Sequence, residues 1–77
     1  MSSLVTQMIV AERYGLRLRV EQLATLLDVS KGSIYNQLSA GTFPVPTYLD
    51  GKLRFADYRD VAAYLDDCRT RAKVTAA

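Results

Sequence analysis

The residue types that run most enzyme chemistry are scarce in this chain. It has no histidine and one cysteine, Cys68. Serines and aspartates are present, but no imidazole is available to activate a hydroxyl. No nucleophile–base pair, metal-ligand cluster or glycine-rich phosphate loop can be written from the sequence. A zinc site would need carboxylates almost alone. The expectation is a protein that is not an enzyme and that carries neither cofactor nor metal. What the sequence does offer is a run of hydrogen-bond donors and cations. Ser30, Lys31, Gly32, Ser33, Tyr35, Asn36 and Ser39 lie close together, and Lys52 and Arg54 follow. An amide such as Asn36 can pair bidentately with adenine, and a lysine can meet a phosphate or a guanine edge. Hydroxyls and backbone N–H groups at a helix start bind phosphate oxygens.

The overall balance is only mildly basic, at +2. The distribution says more than the sum. From Val29 to Phe55 the charges are Lys31, Lys52 and Arg54 against one acid, Asp50. Acids otherwise gather late in the chain, at Asp57, Asp60, Asp66 and Asp67. A basic centre and a mixed end suit a protein that touches phosphate with its middle. At 77 residues the chain is one small domain with a modest core. No stretch approaches the roughly 20 apolar residues that span a bilayer, and the first residues lack the pattern of a secretory signal. A single cysteine cannot make an internal disulfide, and Cys68 reads as a small, partly buried helix residue. Together these point to a soluble cytoplasmic protein with no membrane partner.

The donors must be held by elements, and the hydrophobic periodicity supplies them. Leu4–Tyr14 reads as a helix, with Leu4, Val5, Met8 and Ile9 as its apolar side and Gly15 ending it. These apolar residues are expected in the core. Residues 16–19 alternate apolar and basic, a short strand pattern. Val20–Leu27 is a second helix, carried by Leu23, Leu26 and Leu27 with the small Ala24 among them. Ser30 can cap a third helix, Lys31–Ala40, whose inward pair is Ile34 and Leu38 and whose end is Gly41. Two prolines in residues 42–46 then force an extended path. Residues 47–49 and 52–55 flank Asp50-Gly51, a hairpin signal in which both turn residues take positive φ. Asp57 can cap a last helix with Tyr58, Val61, Ala62 and Leu65 as its stripe. Residues 70–77 carry little to anchor them and are expected to fray.

The order is short helix, tight turn, short helix, extended link, hairpin, helix. Ala24 lets two helices cross closely, and Leu23, Leu27, Val29, Ile34 and Leu38 lie where their contacts belong. Residues 20–65 resemble the small excisionase and AlpA-type regulators, winged-helix relatives of the MerR DNA-binding domain. Three segments carry the resemblance: "VEQLATLLDVSKGSIYNQL", "AGTFPVP" and "RFADYRDVAAYL". Four positions depart from the pattern. Asp28 replaces a common glycine in the turn, and Gln37 replaces a frequent apolar residue. Phe55 and Tyr64 stand where tryptophan is common.

The resemblance implies a mainly α fold with a small β-hairpin: a winged helix-turn-helix over residues 16–69, preceded by an extra helix in residues 1–15 to which it assigns no role. It implies a sequence-specific double-stranded DNA-binding protein of a mobile element. As an excisionase, or recombination directionality factor, such a protein binds attachment-site DNA cooperatively with further copies, bends it and serves an integrase. As a regulator of phage or prophage promoters, it meets RNA polymerase. With Ile34 and Leu38 inward, the DNA-facing residues would be Ser30, Lys31, Gly32, Ser33, Tyr35, Asn36 and Ser39, with Lys52 and Arg54 from the wing. Plainer readings stand beside these. Lys31 and Asn36 also suit a solvated helix face, Tyr35 a half-buried ring, and Lys52 and Arg54 guards of an edge strand. Arg17 and Arg19 read first as a solvated strand face. A protein-interaction adaptor that reuses the fold is the alternative of a different class.

Overall fold

The computed structural model describes residues 3–76. The order is α1 (Leu4–Tyr14), β1 (Arg17–Arg19), α2 (Val20–Leu27), α3 (Lys31–Ala40), β2 (Tyr48–Asp50), β3 (Leu53–Asp57) and α4 (Tyr58–Ala76). The chain is mainly helical, with one small antiparallel sheet in the order β1-β3-β2. Arg17 to Arg19 pair with Asp57 to Phe55, and Tyr48 to Asp50 pair with Phe55 to Leu53.

Local chemistry sets most of the boundaries. Ser3 caps α1 by accepting from the Thr6 N–H at 3.1 Å. Gln22 accepts from the Arg19 N–H at 2.9 Å, holding the entry to α2. Ser30 caps α3 as its hydroxyl predicts, accepting from the Ser33 N–H at 3.0 Å. α3 closes through Thr42 N–H to the Gln37 carbonyl and Gly41 N–H to the Leu38 carbonyl. That is a Schellman closure, and it needs the left-handed conformation Gly41 adopts at φ 73°. Asp57 caps α4, accepting from the Arg59 N–H at 2.8 Å.

The core is formed by Val10, Leu18, Val20, Leu23, Ile34, Val45, Ala56, Val61 and Ala62. Every element but β2 reaches it, as does the extended link, whose Val45 is buried between its two prolines. Tyr58 and Leu65 pack against the core from the stripe expected of α4. Cys68 is half-buried on the same helix.

α4 is helical to Ala76, through the stretch from Thr70 that was expected to fray, and the Asp66 carbonyl accepts from the hydroxyl of Thr70 at 3.1 Å. Residue 77 lies outside the described residues. Three expectations need correction. Leu4, Val5, Met8 and Ile9 are not core but face solvent, because α1 docks on α4 through its other side. Val29 is exposed rather than lodged between α2 and α3. The hairpin turn is Gly51-Lys52, since Asp50 pairs with Leu53. Gly51 takes φ 64° while neither Asp50 nor Lys52 has positive φ. A positive φ at the first turn residue alone is the type II′ pattern, which glycine satisfies by itself.

Candidate nucleic-acid interface

α3 is positioned from beneath. Ile34 is fully buried and Leu38 packs against the core beside it. α2 is the helix it rests on, through a turn of three residues, 28–30. Asp28 makes that turn possible by adopting the left-handed conformation at φ 56°, ψ 47°. A short polar side chain tolerates that region better than a branched one. The turn is further held by the Val29 N–H, which donates to the Ala24 carbonyl at 3.1 Å.

The opposite side of α3 is open. Gly32, Tyr35, Asn36 and Ser39 are exposed there, Ser33 is intermediate, and the cap Ser30 and Lys31, the first helical residue on the stripe of Ile34 and Leu38, are exposed at the helix start. Tyr35 keeps 53% of its surface in solvent, which suits a half-buried surface ring as well as a contact with a ligand. Among the described residues, the side chains of Lys31, Tyr35, Asn36 and Ser39 make no hydrogen bond or ion pair within the chain. Their polar groups are therefore satisfied by solvent or by a ligand. Gly32 has room above it, its nearest neighbour being the Ser30 hydroxyl at 3.9 Å from where a Cβ would sit. Gln37, on the flank, is intermediate, and its carbonyl belongs to the helix closure.

The hairpin places Lys52 in the turn itself, exposed, and Arg54 one pair further in, opposite Leu49. Arg54 is half-buried, and its Nη1 donates to the Thr47 hydroxyl at 2.7 Å. Thr47, Leu49 and Arg54 share a strand face by the period of two. Thr47 thus aims Arg54, a role the sequence signalled only once the register was known.

Arg17 is exposed, as a solvated strand face predicts, and is also engaged by its neighbours. Its Nη1 donates to Asp50 Oδ2 at 2.7 Å. Its guanidinium carbon lies 3.8 Å from the centroid of the Phe55 ring. Tyr48 covers the same ring, with centroids 6.1 Å apart. Leu18 and Ala56 point to the core, so alternation places Phe55 on the other side of the sheet, buried there under Arg17 and Tyr48. The hydrogen bond donated to Asp50, then that to Tyr48, holds the Arg17 guanidinium still more firmly in its charged form. The only acid of the central stretch is thereby offset from outside it. Arg19 pairs more loosely with Glu21, at 3.7 Å.

The residues fall into two groups, the outward side of α3 and the end of the hairpin. Among the described residues, no hydrogen bond or ring contact joins the groups. Such an arrangement can bind a polyanion along one helix while a second cationic element reaches it separately. Set against family models, curated proteins and solved structures, the chain matches none.

Proposed function

We propose that this chain is a sequence-specific double-stranded DNA-binding protein built as a winged helix-turn-helix. In this reading α2 braces α3, α3 lies in the major groove, and the β2–β3 hairpin is the wing. One observation carries it: α3 is anchored by a fully buried Ile34, while Tyr35, Asn36 and Ser39 on its other side, and Lys31 in its exposed first turn, have no side-chain partner among the described residues.

Within that reading, the role is that of a mobile element's excisionase. The three segments similar to excisionase and AlpA-type regulators support it, as does the absence of a catalytic constellation from the sequence. Bending a short site costs roughly 1–6 kcal/mol, an amount that phosphate contacts from two elements offset. The partner would be an integrase acting on the same DNA, and the same binding at a promoter would regulate phage or prophage transcription. Footprinting on DNA from the neighbourhood of its own gene tests this. Protection of repeats beside an attachment site supports the excision role, and protection of a promoter alone assigns transcription control. Indifference to every duplex at low ionic strength overturns DNA binding altogether.

A further inference from the structure

α1 is apolar on both sides. The side turned to the domain is Thr6, Gln7, Val10, Ala11 and Tyr14, of which only Val10 is fully buried. Val10 joins the core and Tyr14 packs against it, while the start of the helix is held by polar contacts. Asp66 of α4 accepts from the Ser3 N–H at 2.6 Å and from the Thr6 hydroxyl at 2.9 Å. The other side carries Leu4, Val5, Met8 and Ile9, exposed by 70, 65, 61 and 60%. A helix anchored on one side that still presents four large aliphatic side chains to water on the other has its burial unfinished.

We infer that a second copy of this chain covers this side, two α1 helices packing antiparallel about a twofold axis near Met8 and Ile9. Three features select a second copy over another occupant. The first is symmetry. The four side chains form a stripe two turns long, so an antiparallel copy sets Met8 and Ile9 against their counterparts, as an isologous contact requires. The second is charge. Glu12 lies at the end of the stripe and makes no ion pair among the described residues. In the antiparallel pair it meets the other helix's first turn, which holds no acid and bears the positive end of the dipole. The third is area. The stripe offers on the order of 400 Å² per copy, the size of the largest patch on an ordinary monomer. Two copies with their flanks reach about 1,000 Å², the lower limit for a specific interface. The pair is therefore a weak dimer, and it forms without DNA. If the proposed function holds, adjacent sites on one duplex would strengthen it by raising the effective concentration.

Sedimentation equilibrium of the full chain without DNA tests the inference, using wild type, Met8→Glu and Met8→Lys. Both substitutions are at an exposed position and should leave the circular dichroism melt unchanged. The expected result is a concentration-dependent dimer for the wild type, weakened at least tenfold in each variant alone and recovered when the two are mixed. Recovery by mixing requires position 8 of one copy to meet position 8 of the other. A wild type that stays monomeric at the highest soluble concentration overturns the inference, leaving the stripe to a different kind of partner. So does a dimer that both variants retain, or one the mixture fails to restore. None of these outcomes depends on whether the chain binds DNA.

Discussion

Asn36 and Ile34 sit two positions apart on one helix and face opposite fates. The Asn36 amide has no partner within the chain among the described residues, so a base edge would be its first. Asn36→Ala should cost about 1–3 kcal/mol on the preferred site and relax choice at one base pair. Competition binding against a library of single-base variants reads both. Equal loss on all sequences would remove Asn36 from base recognition. Ile34→Ala should destabilise the fold by about 2–5 kcal/mol through the cavity it opens, and Ile34→Asp should unfold it by burying a charge. A native melting curve for the aspartate variant would reverse the two sides of α3. Asp57 offers a pH test. The Arg59 guanidinium, bonded to both its oxygens, holds its carboxyl below the ordinary 3.8 against the opposing effect of burial, with the Arg59 N–H adding to the lowering. A carboxyl depressed in the folded state contributes fully above its unfolded value, and that contribution disappears as pH falls through the folded one. Asp57→Ala should therefore flatten the fall in melting temperature below about pH 4. An unchanged acid limb would mean that the pair contributes nothing. Because Arg59 is largely exposed, solvent screens the ion pair, and the loss at neutral pH should come mainly from the missing cap of α4.

Elements were legible where one short-range cause decides them. The caps at Ser30 and Asp57 and the closure at Gly41 are local hydrogen-bond chemistry, so α3 and the start of α4 could be placed from composition alone. The outward face of α3 followed from Ile34 and Leu38 by periodicity. The hairpin was legible in kind but not in register. Asp-Gly suggested a turn at those two residues, whereas the ladder continues through Asp50 and the turn falls on Gly51-Lys52. The competing cause is non-local: Arg17 reaches Asp50 from β1, a strand more than thirty residues earlier. The orientation of α1 was not legible for a similar reason. Its periodicity is the same whether the aliphatic side meets its own core or another molecule, and the deciding polar contacts come from Asp66. At the turn between α2 and α3, Asp28→Val should cost about 1–2 kcal/mol in urea denaturation, because a branched Cβ resists the left-handed conformation. Asp28→Gly should be tolerated. Equal stability of the two variants would show that the turn does not depend on that backbone state.

At the scale of the molecule, four of the cations are held in ion pairs: Arg17, Arg19, Arg59 and Arg71. Lys31 and Lys52 are exposed and stand outside these pairs, on the two elements proposed to meet DNA. Each lysine that displaces a counterion from DNA contributes nearly one unit to the slope of log affinity against log salt. Lys31→Ala and Lys52→Ala should each lower the slope by about one while leaving the base preference intact. Titration across a range of potassium chloride measures it, and an unchanged slope for Lys52→Ala would take the wing out of the contact. Arg54→Ala should also lower affinity broadly, with the added loss of its anchor on Thr47.

The bracket that joins β1 to the hairpin bears on how such contacts would form. Arg17 is stacked on Phe55 and bonded to Asp50, so it fastens all three strands from one side. A loop left free in solution surrenders its backbone entropy each time it engages a target, and that loss lengthens the odds of a productive collision. A hairpin bolted from Phe55 to the residue beside its turn has met most of that loss during folding, and chiefly the tip of Lys52 remains to be stilled on arrival. Cutting the bolt with Arg17→Ala would leave every proposed DNA contact in place and still slow capture of the target.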